Sequence, residues 1–114
     1  MTDETSDRRQ RLQENLARIV EDLRTHYQPE EIILFGSLAS GHITPTSDLD
    51  LLIIKKTDKP FLQRLRDVVS LCNYDVGVDF LVYTPEEFSE ESRTNQFVKN
   101  EILAKGKVIY RAAA

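Results

Sequence analysis

The stretch FGSLASGHITPTSDLDLLII, from Phe35 to Ile54, joins two apolar runs that read as strands through a polar segment. A Gly-Ser pair ends the first run, Ile32 to Phe35, and Asp-Leu-Asp precedes the second run, Leu51 to Ile54. Aspartate is a poor strand former, and burying an unpaired carboxylate is costly. We therefore infer that the negative charge at the start of the second strand serves a purpose there.

The two aspartates of this segment, Asp48 and Asp50, are predicted to point to one face of their strand. Because strand side chains alternate between faces, their Cα atoms lie about 6.6 Å apart on that face. Two such carboxylates raise each other's pKa unless a cation joins them. Mg²⁺ suits this arrangement, since it binds through one or two carboxylates plus substrate phosphates. The alternative, which a lone Asp-x-Asp pattern favours, is a solvated strand end with Asp48 capping the loop.

The Gly-Ser pair adds a second feature, a predicted phosphate-binding turn. Gly36 lets the backbone approach a ligand closely, and Ser37 begins a short helix whose free N–H groups attract phosphate. Alone, Gly-Ser after a strand usually means only a turn. Here ten residues separate the pair from the Asp-x-Asp motif. The Gly-Ser turn and the Asp-x-Asp motif at this spacing indicate a ligand-binding site much more specifically than either motif does alone.

A third carboxylate, Asp79, lies inside the apolar run VGVDFLVY at positions 76–83. It shares a predicted strand face with Gly77, Leu81 and Tyr83. If this strand neighbours the Asp-x-Asp strand, three carboxylates converge, which is enough to hold two metal ions about 3.5–4 Å apart. The alternative is a strand-edge aspartate that is paired with a lysine.

The rest of the chain predicts alternating helices and strands. A long first helix ends at Gln28-Pro29, and its apolar face recurs at three- and four-residue steps. Further strands are predicted over 31–35, 48–55, 76–83 and 107–110, and further helices over 37–40, 60–72, from Thr84-Pro85 onward, and over about 94–105. Two helices have predicted apolar faces: Phe61, Leu65, Val68, Val69 and Cys72 in one, and Phe97, Val98, Ile102 and Leu103 in the other. This order predicts a single domain over residues 1–114, α/β or α+β, with helices packed on one sheet.

The composition limits the classes of partner. Of the 114 residues, 40% are hydrophobic and 30% charged, which is ordinary for a globular protein. The net charge of −4 argues against direct binding of nucleic acid or of an anionic membrane. The single cysteine, Cys72, excludes an intrachain disulfide and fits a reducing compartment. With no apolar run near the ~20 residues of a membrane span and no apolar N-terminal segment, we expect a cytoplasmic protein.

Taken together, Gly36-Ser37, Ser47-Asp48-Leu49-Asp50-Leu51 and Asp79 resemble the DNA polymerase β nucleotidyltransferase superfamily. More narrowly, the chain is similar to the minimal nucleotidyltransferases, the MNT antitoxins of HEPN/MNT toxin–antitoxin pairs. The resemblance covers nearly the whole chain, including TPEEF (84–88) and FVKNEILAKGKVIY (97–110). It implies a mixed β-sheet with flanking helices, which is the polymerase β-type nucleotidyltransferase fold.

The resemblance also implies roles for the motif residues. Asp48 and Asp50 would hold two Mg²⁺ ions, and Asp79 would be the third metal ligand and catalytic carboxylate, beside the attacking hydroxyl. Gly36, Ser37 and Ser47 would contact the ATP substrate. One position departs from the pattern: many relatives have an arginine just before the second glycine, where this chain has Ser40. Lys55 or Lys56 could supply the missing cation.

The function implied by this resemblance is Mg²⁺-dependent transfer of AMP from ATP to a hydroxyl. The expected acceptor is a HEPN-type toxin, which would make the chain an antitoxin that forms a hetero-oligomer with its partner. Two alternatives remain open. One is a small-molecule adenylyltransferase of the antibiotic-modifying type. The other is a catalytically weak nucleotide-binding antitoxin that neutralises its partner by contact, which the serine at position 40 keeps open.

Overall fold

The computed structural model describes residues 3–113, which form four strands and a set of flanking helices. The elements, in chain order, are α1 (Asp3–His26), β1 (Glu31–Phe35), α2 (Ser37–Ser40), β2 (Leu49–Ile54), α3 (Phe61–Leu71), β3 (Val78–Tyr83), α4 (Pro85–Thr94), the π-helix α5 (Val98–Leu103) and β4 (Lys107–Arg111). The predicted alternation of helices and strands is confirmed. No helix among the described residues combines the length and apolar character needed to cross a membrane.

The strands form one mixed sheet in the order β3-β2-β1-β4. Strand β1 runs antiparallel to both β2 and β4, whereas β2 and β3 are parallel. Phe35, at the end of β1, pairs with Asp50 of β2, which in turn pairs with Asp79 of β3. One end of the sheet therefore brings together the C-terminal end of β1 and the N-terminal ends of β2 and β3.

Strand β2 is buried on both faces, and its alternation separates two cores. Leu49, Leu51 and Ile53 pack against the helices α1 and α3. Leu52 and Ile54 point to the opposite face, where Val98 and Ile102 of α5 cover them. Each fully buried leucine or isoleucine contributes roughly 1.5–3 kcal/mol. Because a slip of one residue would reverse both faces, this pattern fixes the face on which Asp50 lies.

Local signals set several of the element boundaries as predicted. Helix α1 ends at His26, two residues before Gln28, whose φ of 55° lies outside the helical region, and Pro29 follows. Helix α4 begins with a complete capping box, in which Thr84 and Glu87 each bind the other's backbone N–H. Pro60, predicted as the first residue of α3, is instead its N-cap residue.

The last helix lies where it is predicted, with helical residues over 96–103 against about 94–105, but its predicted apolar face is partly wrong. Helix α4 extends to Thr94, and α5 begins at Val98 as a separate π-helix. The side chain of Asn95 accepts hydrogen bonds from the backbone N–H groups of Phe97 and Val98, which starts a new helical segment there. Phe97 and Leu103 are half exposed, so they do not share the buried face of Val98 and Ile102.

The predicted apolar face of α3 is also partly wrong. Val68 and Cys72 are buried as expected, but Phe61 and Val69 are exposed. Arg64 is buried instead, because its guanidinium finds hydrogen-bond acceptors inside the fold. A buried charge is tolerated when it is paired in this way.

Candidate active site

Asp50 and Asp79 stand side by side on neighbouring strands. They are register partners in the parallel pair of β2 and β3, and the backbone N–H of Leu49 donates to the Gly77 carbonyl oxygen (3.0 Å) just before them. Adjacent strands lie about 4.8 Å apart, so side chains at paired positions on one face are in contact range. The sequence predicted that the carboxylates converge if these two strands are neighbours, and the structure shows that the strands are paired.

The crowding of carboxylates changes the acidity of Asp50. Its pKa is raised from 3.8 to about 6, first by burial and then by the charge of Asp79, a hydrogen bond with Asp79 and the charge of Asp48. A carboxylate in such surroundings favours either a proton or a cation. The arrangement therefore favours binding of a positive ion at this end of the sheet.

Glycines give these carboxylates the space they occupy. A Cβ atom on Gly36 would lie 2.1 Å from Oδ2 of Asp50, and the φ of +77° at Gly36 is itself unfavourable for other residues. A Cβ atom on Gly77 would lie 2.6 Å from Oδ1 of Asp48. The turn after β1 is thus in direct contact with a carboxylate of the site, and its predicted role in binding phosphate stays a prediction.

Asp48 lies one residue before β2 and is paired with Arg8 of α1. The Arg8 guanidinium donates from Nη2 to Oδ1 of Asp48 (3.2 Å) and from Nε to the carbonyl oxygen of Ser47 (2.7 Å). Our sequence reasoning did not identify Arg8. A signal was present, because Arg8 precedes the buried Leu12 by four residues and so extends the buried face of α1.

Ser47 is buried, and its hydroxyl stabilises the loop before β2. Its Oγ accepts a hydrogen bond from the backbone N–H of Thr44 (2.9 Å) and lies 3.3 Å from Oγ1 of Thr44. These contacts hold the loop that delivers Asp48 to the site. Contact between Ser47 and a nucleotide stays a prediction.

The donor set fits a hard divalent cation. Within residues 3–113, no group of three or more His, Cys, Asp or Glu side chains is arranged to hold a metal ion, and Asp48 accepts a hydrogen bond from Arg8. Asp50 and Asp79 nevertheless form an adjacent pair of oxygen donors, which is sufficient for Mg²⁺ with phosphates and waters as further ligands. The three carboxylates therefore remain predicted ligands, with Asp50 and Asp79 already in contact.

A cleft of about 310 Å³ opens beside the Gly36 turn. It is lined by Gly36, Ser37, Ser40, His42, Glu101 and Lys105. This volume is at the lower end of the range for small-molecule sites. The cleft joins the predicted phosphate-binding turn to α5, so the structure brings Ser37 and Ser40 together with a lysine that the sequence did not single out.

The suggestion that Lys55 compensates for the absent arginine is wrong. Lys55 lies just beyond the C-terminal end of β2, and its Nζ donates to the carbonyl oxygen of Tyr27 (2.6 Å). Asp50 is near the opposite end of the same strand. A hollow of about 450 Å³ near Lys55 is larger than the cleft, but its lysines already bind Tyr27 and Asp67.

Comparisons with known proteins agree with this geometry. Residues 16–109 match a family model described as a nucleotidyltransferase domain. A Methanocaldococcus jannaschii protein, named as a putative protein adenylyltransferase, is 33% identical over 86 residues, covering 71% of this chain and 78% of the relative.

A solved structure is similar over nearly the whole length. The crystal structure of a putative nucleotidyltransferase from Sulfolobus solfataricus superposes with a TM-score of 0.70 at 21% identity, covering 97% of this chain and 90% of that one. This likeness confirms the predicted mixed-sheet fold. The chain belongs to the nucleotidyltransferase domain family, within the polymerase β-type superfamily, and is a nucleotidyltransferase.

Proposed function

We propose that this protein is a Mg²⁺-dependent adenylyltransferase that transfers AMP from ATP to a hydroxyl group on a protein partner. The observation that carries this proposal is the contact of Asp50 with both Asp79 and the Gly36 turn. A carboxylate pair beside a glycine turn provides ligands for a cation and room for phosphates in one place. Superfamily membership supports phosphoryl-group chemistry at this end of the sheet.

The three carboxylates would have different roles in the reaction. Asp48 and Asp50 would hold Mg²⁺, with Arg8 releasing Asp48 as the ion binds. Bound Mg²⁺ would neutralise phosphate charge and make the acceptor hydroxyl more acidic. Asp79, which is exposed, would take the hydroxyl proton as the acceptor oxygen bonds to the α-phosphorus. The bond from that phosphorus to the bridging oxygen breaks, and pyrophosphate leaves with the electron pair.

A protein acceptor fits the charge of the chain better than a nucleic acid does. The net charge of −4 provides no excess of basic groups for a phosphate backbone. The name of the Methanocaldococcus jannaschii relative also refers to a protein substrate. The resemblance to MNT antitoxins implies a HEPN-type toxin as this partner, with a tyrosine hydroxyl receiving AMP.

A second candidate is an antitoxin that acts by binding and catalyses weakly. Two observations favour it. Ser40 occupies the position where many relatives have an arginine, and the carboxylate of Asp48, a predicted metal ligand, is already paired with Arg8. The Asp79→Asn variant separates the two candidates, because it removes the proton acceptor and keeps the shape of the side chain. Complete neutralisation of the toxin in cells by this variant would contradict catalysis as the main function.

Co-expression with a HEPN-type protein encoded beside this gene tests the proposal. Intact mass of the purified partner should show one or more added AMP units with the wild type and none with the double variant Asp48→Ala, Asp50→Ala. Asp58→Ala, in an exposed loop outside the site, is the control and should label normally. Labelling of tRNA or an aminoglycoside by this chain alone, with an unmodified partner, would refute the proposal.

A further inference from the structure

The end of α5 is held firmly against the strand that leads into the Gly36 turn. A Cβ atom on Gly106 would lie 2.3 Å from the Ile102 carbonyl oxygen and 3.0 Å from Cγ2 of Ile33, so only glycine permits this approach. The next residue, Lys107, pairs with Leu34 of β1. These contacts place Lys105 beside the end of β1, where it lines the same cleft as Gly36 and Ser37.

Lys105 carries the positive charge of this cleft. Among the described residues that line it, Lys105 is the one with a permanent positive charge, and Glu101 is the one carboxylate. The two side chains form an ion pair (3.1 Å) one helical turn apart, with exposed fractions of 65% for Lys105 and 41% for Glu101. Exposed pairs of this kind contribute little stability, so a more highly charged group can displace Glu101.

A nucleoside triphosphate at the carboxylates would extend toward this lysine. Gly36 touches Asp50 on one side and lines the cleft on the other, so a phosphate chain crossing the turn reaches both. The phosphates nearest Asp50 would be neutralised by the divalent cation. The terminal phosphate, farther along the cleft, needs a cation of its own, and a lysine supplies a compact charge with three donors.

We propose that Lys105 is a triphosphate-binding residue that exchanges its Glu101 partner for the terminal phosphate of the nucleotide. This inference rests on the proposed function, because it assumes that ATP occupies the carboxylate site. Glu101 then has a defined role: it orients Lys105 in the free protein and repels the incoming phosphate. Selectivity for triphosphate over monophosphate follows, since AMP does not reach Lys105.

Calorimetric titration with ATP and with AMP, both in Mg²⁺, tests this role. Lys105→Met should weaken ATP binding about tenfold, the loss expected for one charged hydrogen bond, and leave AMP binding unchanged. Lys99→Met, which alters an exposed lysine of α5 that does not line the cleft, is the matched control and should bind both nucleotides normally. Glu101→Gln should bind ATP more tightly than the wild type.

The outcomes separate this inference from the proposed function. If Lys105→Met binds ATP like the wild type while Asp48→Asn loses Mg²⁺-linked binding, the Lys105 role is wrong and the proposed function stands. If the wild type does not bind ATP in Mg²⁺, both are wrong. An equal loss of ATP and AMP affinity in Lys105→Met, with an unchanged melting temperature, would also contradict a terminal-phosphate contact.

Discussion

The two ends of the sheet treat charged side chains in opposite ways. At the end that we call the Arg64 end, Arg64 is 6% exposed, and it donates to Glu87 (2.6 Å) and to the carbonyl oxygens of Val82 (3.1 Å) and Lys59 (2.8 Å). At the carboxylate end, formed by Gly36, Asp48, Asp50 and Asp79, burial and then the crowding of like charges raise the pKa of Asp50 to about 6. At the Arg64 end the buried charge is paired with hydrogen-bond acceptors, whereas at the carboxylate end Asp50 lies next to further negative charges.

This difference separates residues that maintain the fold from residues that serve a ligand. Removing one partner of a buried charge pair is costly because the other partner is left uncompensated, whereas clustered like charges cost stability and persist where a function requires them. Removal of a charged side chain should therefore destabilise the fold at the Arg64 end and stabilise the metal-free protein at the carboxylate end.

Replacing the buried arginine should cause the largest loss of stability. Arg64→Met leaves the Val82 carbonyl oxygen without this donor and removes the charged partner of the half-exposed Glu87, which costs roughly 3 kcal/mol. Urea unfolding measures the change. Arg66→Met, two residues along the same helix and exposed, is the control and should change stability by less than about 0.5 kcal/mol. Equal stability of the two variants would contradict the structural role of Arg64.

Two glycine substitutions should compare the turn that Asp50 crowds with an open turn, Gly36 also having a ψ of −153° where Gly41 has the more tolerant αL value of 0°. Gly36→Ala combines an unfavourable backbone conformation with a clash against Asp50, at a cost of roughly 2–3 kcal/mol. Gly41→Ala has a similar positive φ, but nothing lies within 4 Å of its added Cβ, so about 1 kcal/mol is expected. Urea unfolding of both variants gives the difference. An equal cost at the two positions would mean that Asp50 does not touch the turn.

Neutralising Asp50 should stabilise the metal-free protein. The pKa of Asp50 is higher in the folded state, about 6, than its ordinary value of 3.8, so between these pH values the folded protein binds a proton that the unfolded chain releases. The free energy of unfolding therefore falls as the pH rises through this window, because the folded protein must then carry the charged carboxylate. Asp50→Asn should therefore be more stable than the wild type above pH 7 in EDTA, by on the order of 1 kcal/mol after allowance for solvent screening. The difference should shrink toward pH 4. Asp58→Asn, the exposed control, should show no such gain.

The sequence predicted the carboxylate end more completely than the Arg64 end. Local patterns were sufficient for the strand headed by Asp48, the turn at Gly36 and the capping box at Thr84, because each depends on a few neighbouring residues. The alternation along β2 also placed Asp50 and the apolar residues on the correct faces. The motif spacing led to the family without knowledge of the strand order.

Contacts between distant segments were not predictable from these patterns. Arg8 reaches Asp48 across 40 positions, and Arg64 reaches Glu87 across 23, so their partners depend on how the helices dock. The exact boundary between the two helices that were predicted after β3 also depends on one side chain, Asn95, that competes for backbone N–H groups. Lys105 reaches the cleft because Gly106 packs on β1, which a helical pattern alone does not reveal.

Calorimetric titration of ATP in Mg²⁺ and in EDTA tests the central claim, that the carboxylate end binds nucleotide through a divalent cation. Without a cation, three carboxylates repel a triphosphate. The wild type should bind ATP in Mg²⁺ and poorly in EDTA, and Asp48→Asn in Mg²⁺ should resemble the wild type in EDTA. Equal ATP affinity in all three conditions would contradict a metal-linked site at this end of the sheet.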